Sequence, residues 1–349
     1  MERRVWAAVI LVLLVIAASA LYYTSRHGSS TRTEQARTGE VVVCTAGSMA
    51  LPLKDIMGGF SNETGIKVLL KPKGSVELIR EFIGLKSRCD VIVVADYRLI
   101  PMMLYPNYTR WYAVFASNEL VVAWGNHTKP PGGLQEILAR WIRGEASYGF
   151  SDPNRDPCGY RAVGAIALLS VEEHNYSILE DLVVKRIPGS RYEVGPNGTV
   201  EVYIPASYTP KPPLVIRPKS IELLSLLESG ELDYAILYRS EAVEQHLHYV
   251  PLPPGADLGD PRLAGAYSRV VVHILSGTPS EKTITMAPIA YGLTIPSNAP
   301  NEEGALLFVK YLLQHLPQLE EYGFKPLSPP IGYGKIPAGL EGLLSGGGS

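Results

Sequence analysis

Between Val41 and Ala95, short and nearly continuous apolar runs alternate with stretches of helical periodicity. That rhythm restricts the fold more than any other feature of the chain. Val41 to Cys44 is such a run, ending in Thr45-Ala46-Gly47-Ser48, and Leu51 to Phe60 has a helical pattern. Thr64 to Leu70 is strand-like, Gly74-Ser75 opens a second helical stretch from Val76 to Lys86, and Asp90 to Ala95 is again a strand. Strands that are apolar on both faces need cover on both faces, so a βαβαβ order in this style specifies a parallel sheet flanked by helices. Glu119 to Trp124 reads as a strand leaving this first unit.

The middle of the chain repeats the style. A helix near Leu134 to Arg143 leads to the loop Ser151 to Gly159, which opens a helix running to Ser170. A strand lies within the Pro-rich stretch Pro210 to Pro218, a helix runs from Ser220 to Leu227, and Tyr234 to Tyr238 is a strand. Further strands are expected at Arg269 to Leu275 and Ile289 to Ile295, followed by an amphipathic helix from Pro300 to Leu316 and a Pro/Gly-rich tail from Pro326. With 349 residues the chain is long for one core and comfortable for two lobes. The last helix needs a sheet to cover, so it is expected to return to the first lobe.

The first segment places the protein. Arg3 and Arg4 precede an uncharged run from Trp6 to Tyr23. As a helix this run is roughly 27 Å long, near the thickness of a hydrocarbon core, and the leading arginines keep the N-terminus cytoplasmic. It is either a signal peptide cleaved after Ala18-Ser19-Ala20 or an uncleaved anchor, and its length with the Tyr22-Tyr23 pair favours the anchor. His27 to Gly39 is polar without periodicity, a tether. The five Asn-x-Ser/Thr sequons at Asn62, Asn107, Asn126, Asn175 and Asn197 agree with an exported glycoprotein. Of three cysteines, Cys44 and Cys89 read as small buried thiols, and with Cys158 they allow at most one disulfide of unspecified connectivity. A net charge of -2 offers no basic field for nucleic acid.

Ser48 and Ser75 each stand beside a glycine where a strand gives way to a helix. A helix start presents unpaired N–H groups and the positive end of the dipole, so it holds an anion without a formal charge, and a serine adds a hydroxyl donor. Either serine alone reads more simply as a cap. Two such ends, with the loop at Cys158-Gly159 and the helix start at Ser220, make a converging set. Asp152 and Asp156 are rigid Asp-Pro turn residues and the best acidic candidates. His246-Leu247-His248 lacks a partner at metal-ligand spacing. No phosphate-cradling loop, nucleophile elbow or His-Glu-x-x-His motif is present.

Several of these stretches together resemble the archaeal tungstate/molybdate-binding proteins of ABC importers. They are Thr45-Ala46-Gly47-Ser48, Lys73-Gly74-Ser75, Cys89-Asp90-Val91 with Ala95-Asp96, and the Tyr112 to Trp124 stretch. The most specific is Ser151 to Arg161 (SDPNRDPCGYR), followed in order by Arg217-Pro218-Lys219, Glu228 to Tyr234, Tyr238-Arg239-Ser240 with Gln245-His246, Pro288 to Gly292, and Tyr322-Gly323-Phe324. The resemblance spans about Gly39 to Pro337. It implies an α/β periplasmic-binding-protein fold of type II, two lobes joined by a hinge, with the ligand in the cleft between them. Lobe one would comprise residues 40–117 and 286–338, and lobe two residues 118–285. Residues 1–25 would be the signal or anchor, 26–39 the tether and 339–349 a disordered tail.

It further implies that tungstate or molybdate is held by Ser48 and Ser75 from one lobe and by the Cys158 backbone and Tyr238 hydroxyl from the other. Neutral, paired donors in a dry cleft suit a dianion. Two carboxylates would approach the metal and raise its coordination toward six. The first is Asp156. The second position, directly after Arg217-Pro218-Lys219, here holds Ser220. Glu222 lies two residues on, about 200° around a helix, so it reaches the metal only by a shift of the helix start. The expectation is that Asp156 contacts the metal and Ser220 donates a hydrogen bond. The implied partners are an ABC permease with its ATPase, and the membrane through residues 6–23. A monomer without enzymatic activity or cofactor is expected. The competing readings are a receptor for another tetrahedral oxyanion such as sulfate, and an exported enzyme on the same scaffold.

Overall fold

A computed structural model of the protein describes residues 39–347. The apolar run and tether lie outside the described residues, and among those described no helix is long and apolar enough to cross a membrane. The chain begins with strand β1 (Val41–Ala46), helix α1 (Ala50–Thr64), β2 (Val68–Lys73), α2 (Ser75–Leu85), β3 (Val91–Val94) and β4 (Trp111–Ser117). Every residue of β1 and β3 is buried. They pair in parallel, with β2 parallel on the outer side of β1, as the apolar runs require. The strand expected at Thr64 to Leu70 starts later, because α1 runs on to Thr64. The Thr64 hydroxyl donates to the Phe60 carbonyl, and Gly65 ends the helix with φ of 74°, a left-handed turn that glycine adopts without steric cost.

After β5 (Leu120–Trp124) and α3 (Leu134–Arg143) come β6 (Tyr148–Ser151) and α4 (Pro157–Glu172). Next are β7 (Arg191–Val194), β8 (Val200–Pro205), β9 (Leu214–Arg217), α5 (Ile221–Ser229), β10 (Tyr234–Tyr238), α6 (Arg239–Glu244) and β11 (His248–Pro251). Strands β12 (Val270–Ser276) and β13 (Lys282–Thr285) complete this half. One sheet has the order β11-β5-β10-β6-β9 and a second the order β13-β12-β8-β7. Helix α4 is buried from Ala162 to Val171 and shares one core with Phe150 and Tyr234 of the first sheet and Val202 and Val272 of the second. A helix that is apolar all round belongs in such a place. Gly164 permits it: a Cβ there would lie 2.1 Å from the Met286 sulfur.

The chain then returns to the first sheet through β14 (Ala290–Thr294), α7 (Glu302–Gln314), β15 (Lys325–Gly334) and β16 (Ser345–Gly346), giving the order β16-β15-β4-β14-β3-β1-β2. Phe308 and Leu312 of α7 pack with Val41, Val43 and Phe60, so this helix covers the first sheet as expected. Its N-cap Asn301 accepts from the Gly304 amide. Two features of this returning segment differ from the sequence reading. The Pro/Gly-rich stretch after Phe324 forms a ten-residue strand, with Pro326, Pro329 and Pro330 at an interruption of its ladder with β4, where a missing N–H is tolerated. The expected disordered tail from 339 is ordered through 347: Leu340 is buried in the core, and Ser345 and Gly346 pair with Ile331 and Gly332.

Cys44 and Cys89 form a disulfide, correcting the expectation of two thiols, and Cys158 remains free and buried. Cys44 lies in β1 and Cys89 just before its neighbour β3. Their Cα atoms are 5.7 Å apart, within bridging range. All five sequon asparagines are exposed.

The chain crosses between the two halves at residues 118–119 and 286–289, and the crossings bond to each other through the Asn118 amide and Ile289 carbonyl at 2.8 Å. Buried Glu119 accepts from Lys325 Nζ at 2.7 Å and pairs with Arg239 at 3.6 Å, while Asp257 lies 3.6 Å from the same lysine. Burial raises the Asp257 pKa to about 6; the Gly259 amide and Lys325 oppose the rise, and Glu119 adds to it. That folded value exceeds the unfolded one near 3.9, so the folded state holds the proton more tightly. Stability therefore falls as pH rises from about 4 to about 6 and is level above. Asp257→Asn should remove this contribution, at most about 3 kcal/mol for a shift of that size. Melting temperatures of both proteins from pH 4 to 7 check it: their difference should change across this window and not outside it.

Candidate functional site

The candidate residues sit at the C-terminal ends of parallel strands, where open α/β sheets bind ligands. Ser48 follows β1, Ser75 opens α2 after β2, Asp156 follows β6, Ser220 follows β9, and Tyr238 ends β10. Ser48, Ser75, Asp156 and Tyr238 line one cleft of about 800 Å³. Gly47, Ala95 and Tyr291 face it from the first sheet, Tyr160 and Arg161 from α4, and Ser240 and Glu241 from α6.

On the first wall the Ser48 hydroxyl is 3.1 Å from the Tyr291 hydroxyl, and the Ser75 hydroxyl accepts from the Ala95 amide at 3.1 Å, joining the start of α2 to the end of β3. Ser75 therefore keeps its hydroxyl proton to offer, and in the Ser48–Tyr291 pair one of the two hydroxyl protons is left for another acceptor. Gly74 is the N-cap of α2 and makes no side-chain cap, so Ser75 stands with the open amides of an eleven-residue helix, an anion-favouring place.

On the second wall Asp156 is the N-cap of α4. One oxygen accepts from the Cys158 amide at 3.2 Å and the other from the Ser220 amide at 2.9 Å. Cys158 and Ser220 thus stand behind Asp156, outside the cleft lining, and their amides serve to fix the carboxylate. The Cys158 thiol is fully buried, and burial pushes its pKa well up, so it stays neutral. Ser220 gives its hydroxyl to Glu241 at 2.7 Å. Glu222 is exposed on α5 and does not face the cleft, which follows from its place two residues round the helix. Asp152 is a turn residue away from the cleft: it accepts from the Asn154 amide and the Tyr208 hydroxyl and pairs with Arg155 at 3.4 Å.

Gly159 lets this loop close. A Cβ there would lie 2.1 Å from the Ser151 carbonyl oxygen and 2.7 Å from the Pro153 nitrogen, both rigid backbone atoms. Gly159→Ala should therefore lower stability by about 3 kcal/mol, the upper range for overpacking, and displace Asp156. Denaturant melts measure the first effect. An anion titration checks the second, with weaker binding expected in the fraction that remains folded.

Arg161 was absent from the sequence-derived set, which foresaw only neutral donors. Its guanidinium donates to the Tyr238 hydroxyl at 2.5 Å and lies 5.7 Å from that ring's centre. Among the described residues no carboxylate pairs with it; the nearby Asp96 is bound by Arg98 at 2.7 Å. Burial disfavours its charge, but the hydrogen bond to the Tyr238 hydroxyl and the nearby Asp96 carboxylate favour it, and a guanidinium keeps its proton in proteins, so it stays cationic. Tyr238 stays neutral, since burial raises its own pKa well above the usual value. As it accepts from Arg161, its proton is free for another acceptor. The spacing of Pro157, Tyr160 and Arg161, at i, i+3 and i+4, was the available signal that Arg161 shares the face of Pro157, the residue next to Asp156. Glu241, three residues past Tyr238, had a similar signal in the spacing of a capping glutamate.

The arrangement joins hydroxyl donors, helix starts and an arginine that has no carboxylate partner among the described residues, a set suited to a small anion, to carboxylates that an ordinary anion site lacks. Among the described residues no group of acids, histidines and cysteines forms a metal-ion site. The family model described as bacterial extracellular solute-binding protein matches residues 41–325. A solute-binding protein of Staphylothermus marinus is 40% identical over 341 residues, covering 95% of this chain and 94% of its own length. The molybdate/tungstate-binding protein WtpA of Pyrococcus abyssi is 37% identical over 333 residues, covering 91% and 93%. That of Thermococcus kodakarensis is 35% identical over 355 residues, covering 98% and 97%. Among solved structures, a substrate-binding domain from Clostridium difficile is similar with a TM-score of 0.55 at 14% identity, covering 83% of this chain and all of its own. At that identity the likeness speaks for the fold alone, a periplasmic-binding-protein-like α/β architecture.

Proposed function

The chain belongs to the bacterial extracellular solute-binding protein family, and on that premise we propose that its cleft captures tungstate or molybdate for delivery to an ABC transporter permease. One observation carries the reading: Ser48 and Ser75 from the first sheet meet Asp156 and Tyr238 from the second half in a single cleft. Relatives named molybdate/tungstate-binding proteins, alignable over nine-tenths of the chain, support the identity of the anion. The serine and tyrosine hydroxyls would donate to the oxo groups, Arg161 would balance their charge, and Asp156 would approach the metal.

The cleft is roomier than one four-oxygen anion requires. Residues 40–117 with 286–338 would therefore close as one lobe on residues 118–285, bending at the two crossings, and the closed form would dock on the permease. Residues 6–23 would carry the chain across the membrane and anchor it unless cleaved, with the exposed sequons on the extracellular side.

Titration calorimetry with tungstate, molybdate, sulfate and phosphate tests the reading. Tungstate or molybdate should bind at least about a hundredfold more tightly than sulfate, a difference of about 2.7 kcal/mol. Sulfate binding as tight as tungstate binding would reject the metal oxyanion as cargo and leave the fold untouched.

A further inference from the structure

Ser220 carries no acid of its own but holds two. Its amide donates to Asp156 Oδ2 at 2.9 Å, and its hydroxyl donates to Glu241 Oε1 at 2.7 Å. Both acids line the cleft, Asp156 from the loop after β6 and Glu241 from the first turn of α6. The other Glu241 oxygen accepts from the Tyr238 amide at 3.3 Å. A glutamate in this position ordinarily reaches back over the helix start and otherwise meets solvent. Here it is set between two strand ends, beside the arginine and tyrosine of the anion site.

Two acids facing one cargo oppose an anion that presents only oxygen lone pairs, because like charges repel. They favour an anion whose central atom accepts electron pairs. Tungsten(VI) and molybdenum(VI) have empty d orbitals and room for more than four oxygens; the sulfur of sulfate and the phosphorus of phosphate do not expand in this way in water. We propose that Glu241 is a cargo-contacting residue, one of its oxygens bonding the metal of tungstate or molybdate alongside an oxygen of Asp156, with Ser220 fixing the spacing of the two. The inference rests on the tungstate/molybdate reading above. Each bond forms by donation of a carboxylate lone pair. No oxo group leaves and the metal keeps its oxidation state. Burial, which raises the Glu241 pKa against the opposing bonds from Ser220 and Tyr238, agrees with a group completed by an electron-pair acceptor.

Glu241→Gln has the same shape, and its side-chain oxygen still accepts from Ser220 or the Tyr238 amide. The test combines X-ray absorption at the tungsten edge, on protein loaded with one equivalent of sodium tungstate, with calorimetry using tungstate and sulfate. Wild-type protein should show oxygens beyond the four oxo groups. Glu241→Gln should show one fewer, with tungstate affinity at least tenfold lower and sulfate affinity not reduced. Should Glu241→Gln melt out under these conditions, Glu241→Asp takes its place, with the same expected results. Wild-type coordination number and affinity in the variant would overturn the role of Glu241, as would a count of four oxygens in the wild type, and either would leave the receptor reading standing. Wild-type protein that takes up neither tungstate nor molybdate would overturn both.

Discussion

Replacing Arg161 with methionine is expected to weaken tungstate binding about a hundredfold, or roughly 3 kcal/mol. Methionine keeps much of the apolar stem, so packing against Tyr160 and Tyr238 largely survives. What disappears is the guanidinium that faces the cleft and, among the described residues, has no carboxylate partner. A dianion there has only hydroxyls, helix starts and two acids around it, and the acids work against it wherever they do not bond the metal. Arg161→Lys should fall between wild type and methionine, because it restores the charge without the planar fork. Calorimetry with both variants measures this. Binding unchanged in Arg161→Met would mean that the guanidinium only braces the Tyr238 hydroxyl, and the site would then depend on neutral donors as the sequence first suggested.

Removing the disulfide should have the largest effect on stability. Cys44 and Cys89 are 45 residues apart. Closing a loop of that length restricts the unfolded chain by about 4 kcal/mol in the chain-entropy account, and measured values more often lie between about 2 and 4. The bridge joins β1 to the entry of β3, under Leu78, Ile79 and Phe82 of α2, so the native state keeps its packing when both cysteines become alanine. The double variant should melt roughly 5–10 °C lower. Reductant should shift the wild type in the same direction and leave the variant unaffected. Equal melting temperatures would show that the bridge adds nothing to the stability of the first sheet. Tungstate affinity should hardly change, because neither cysteine faces the cleft.

Strands β1 and β3 were legible because they are buried on both faces, whereas β4, β6 and β8, also interior to their sheets, were not read as strands from the sequence. Val41 to Ala46 and Val91 to Val94 are continuous apolar runs whose only economical placement is the middle of a sheet. The edges were not. Strands β7, β11 and β13 are short and mostly exposed, so their sequences lack the alternation that marks a half-buried strand. β15 was hidden by its prolines, which remove ladder donors, and only its neighbour β4 shows that the ladder resumes at Ile331.

The site divides in the same way. Serines and aspartates at strand-to-helix boundaries are visible in sequence, since helix starts leave local amides unpaired and the residue beside them has a local task. Ser48, Ser75, Asp156 and Tyr238 were accordingly named from the chain and its resemblance, and they line one cleft. Local rules do not say which atoms meet across loops 64 residues apart, such as Ser220 and Asp156, or which of two nearby glutamates faces the cleft. Glu222 looked closer by number and faces solvent. Glu241, 21 residues from Ser220, is its hydrogen-bond partner. Secondary structure and helix starts depend on neighbours in the chain. The pairing of charges in a cleft depends on how two sheets and their helices pack, and only the tertiary structure decides that.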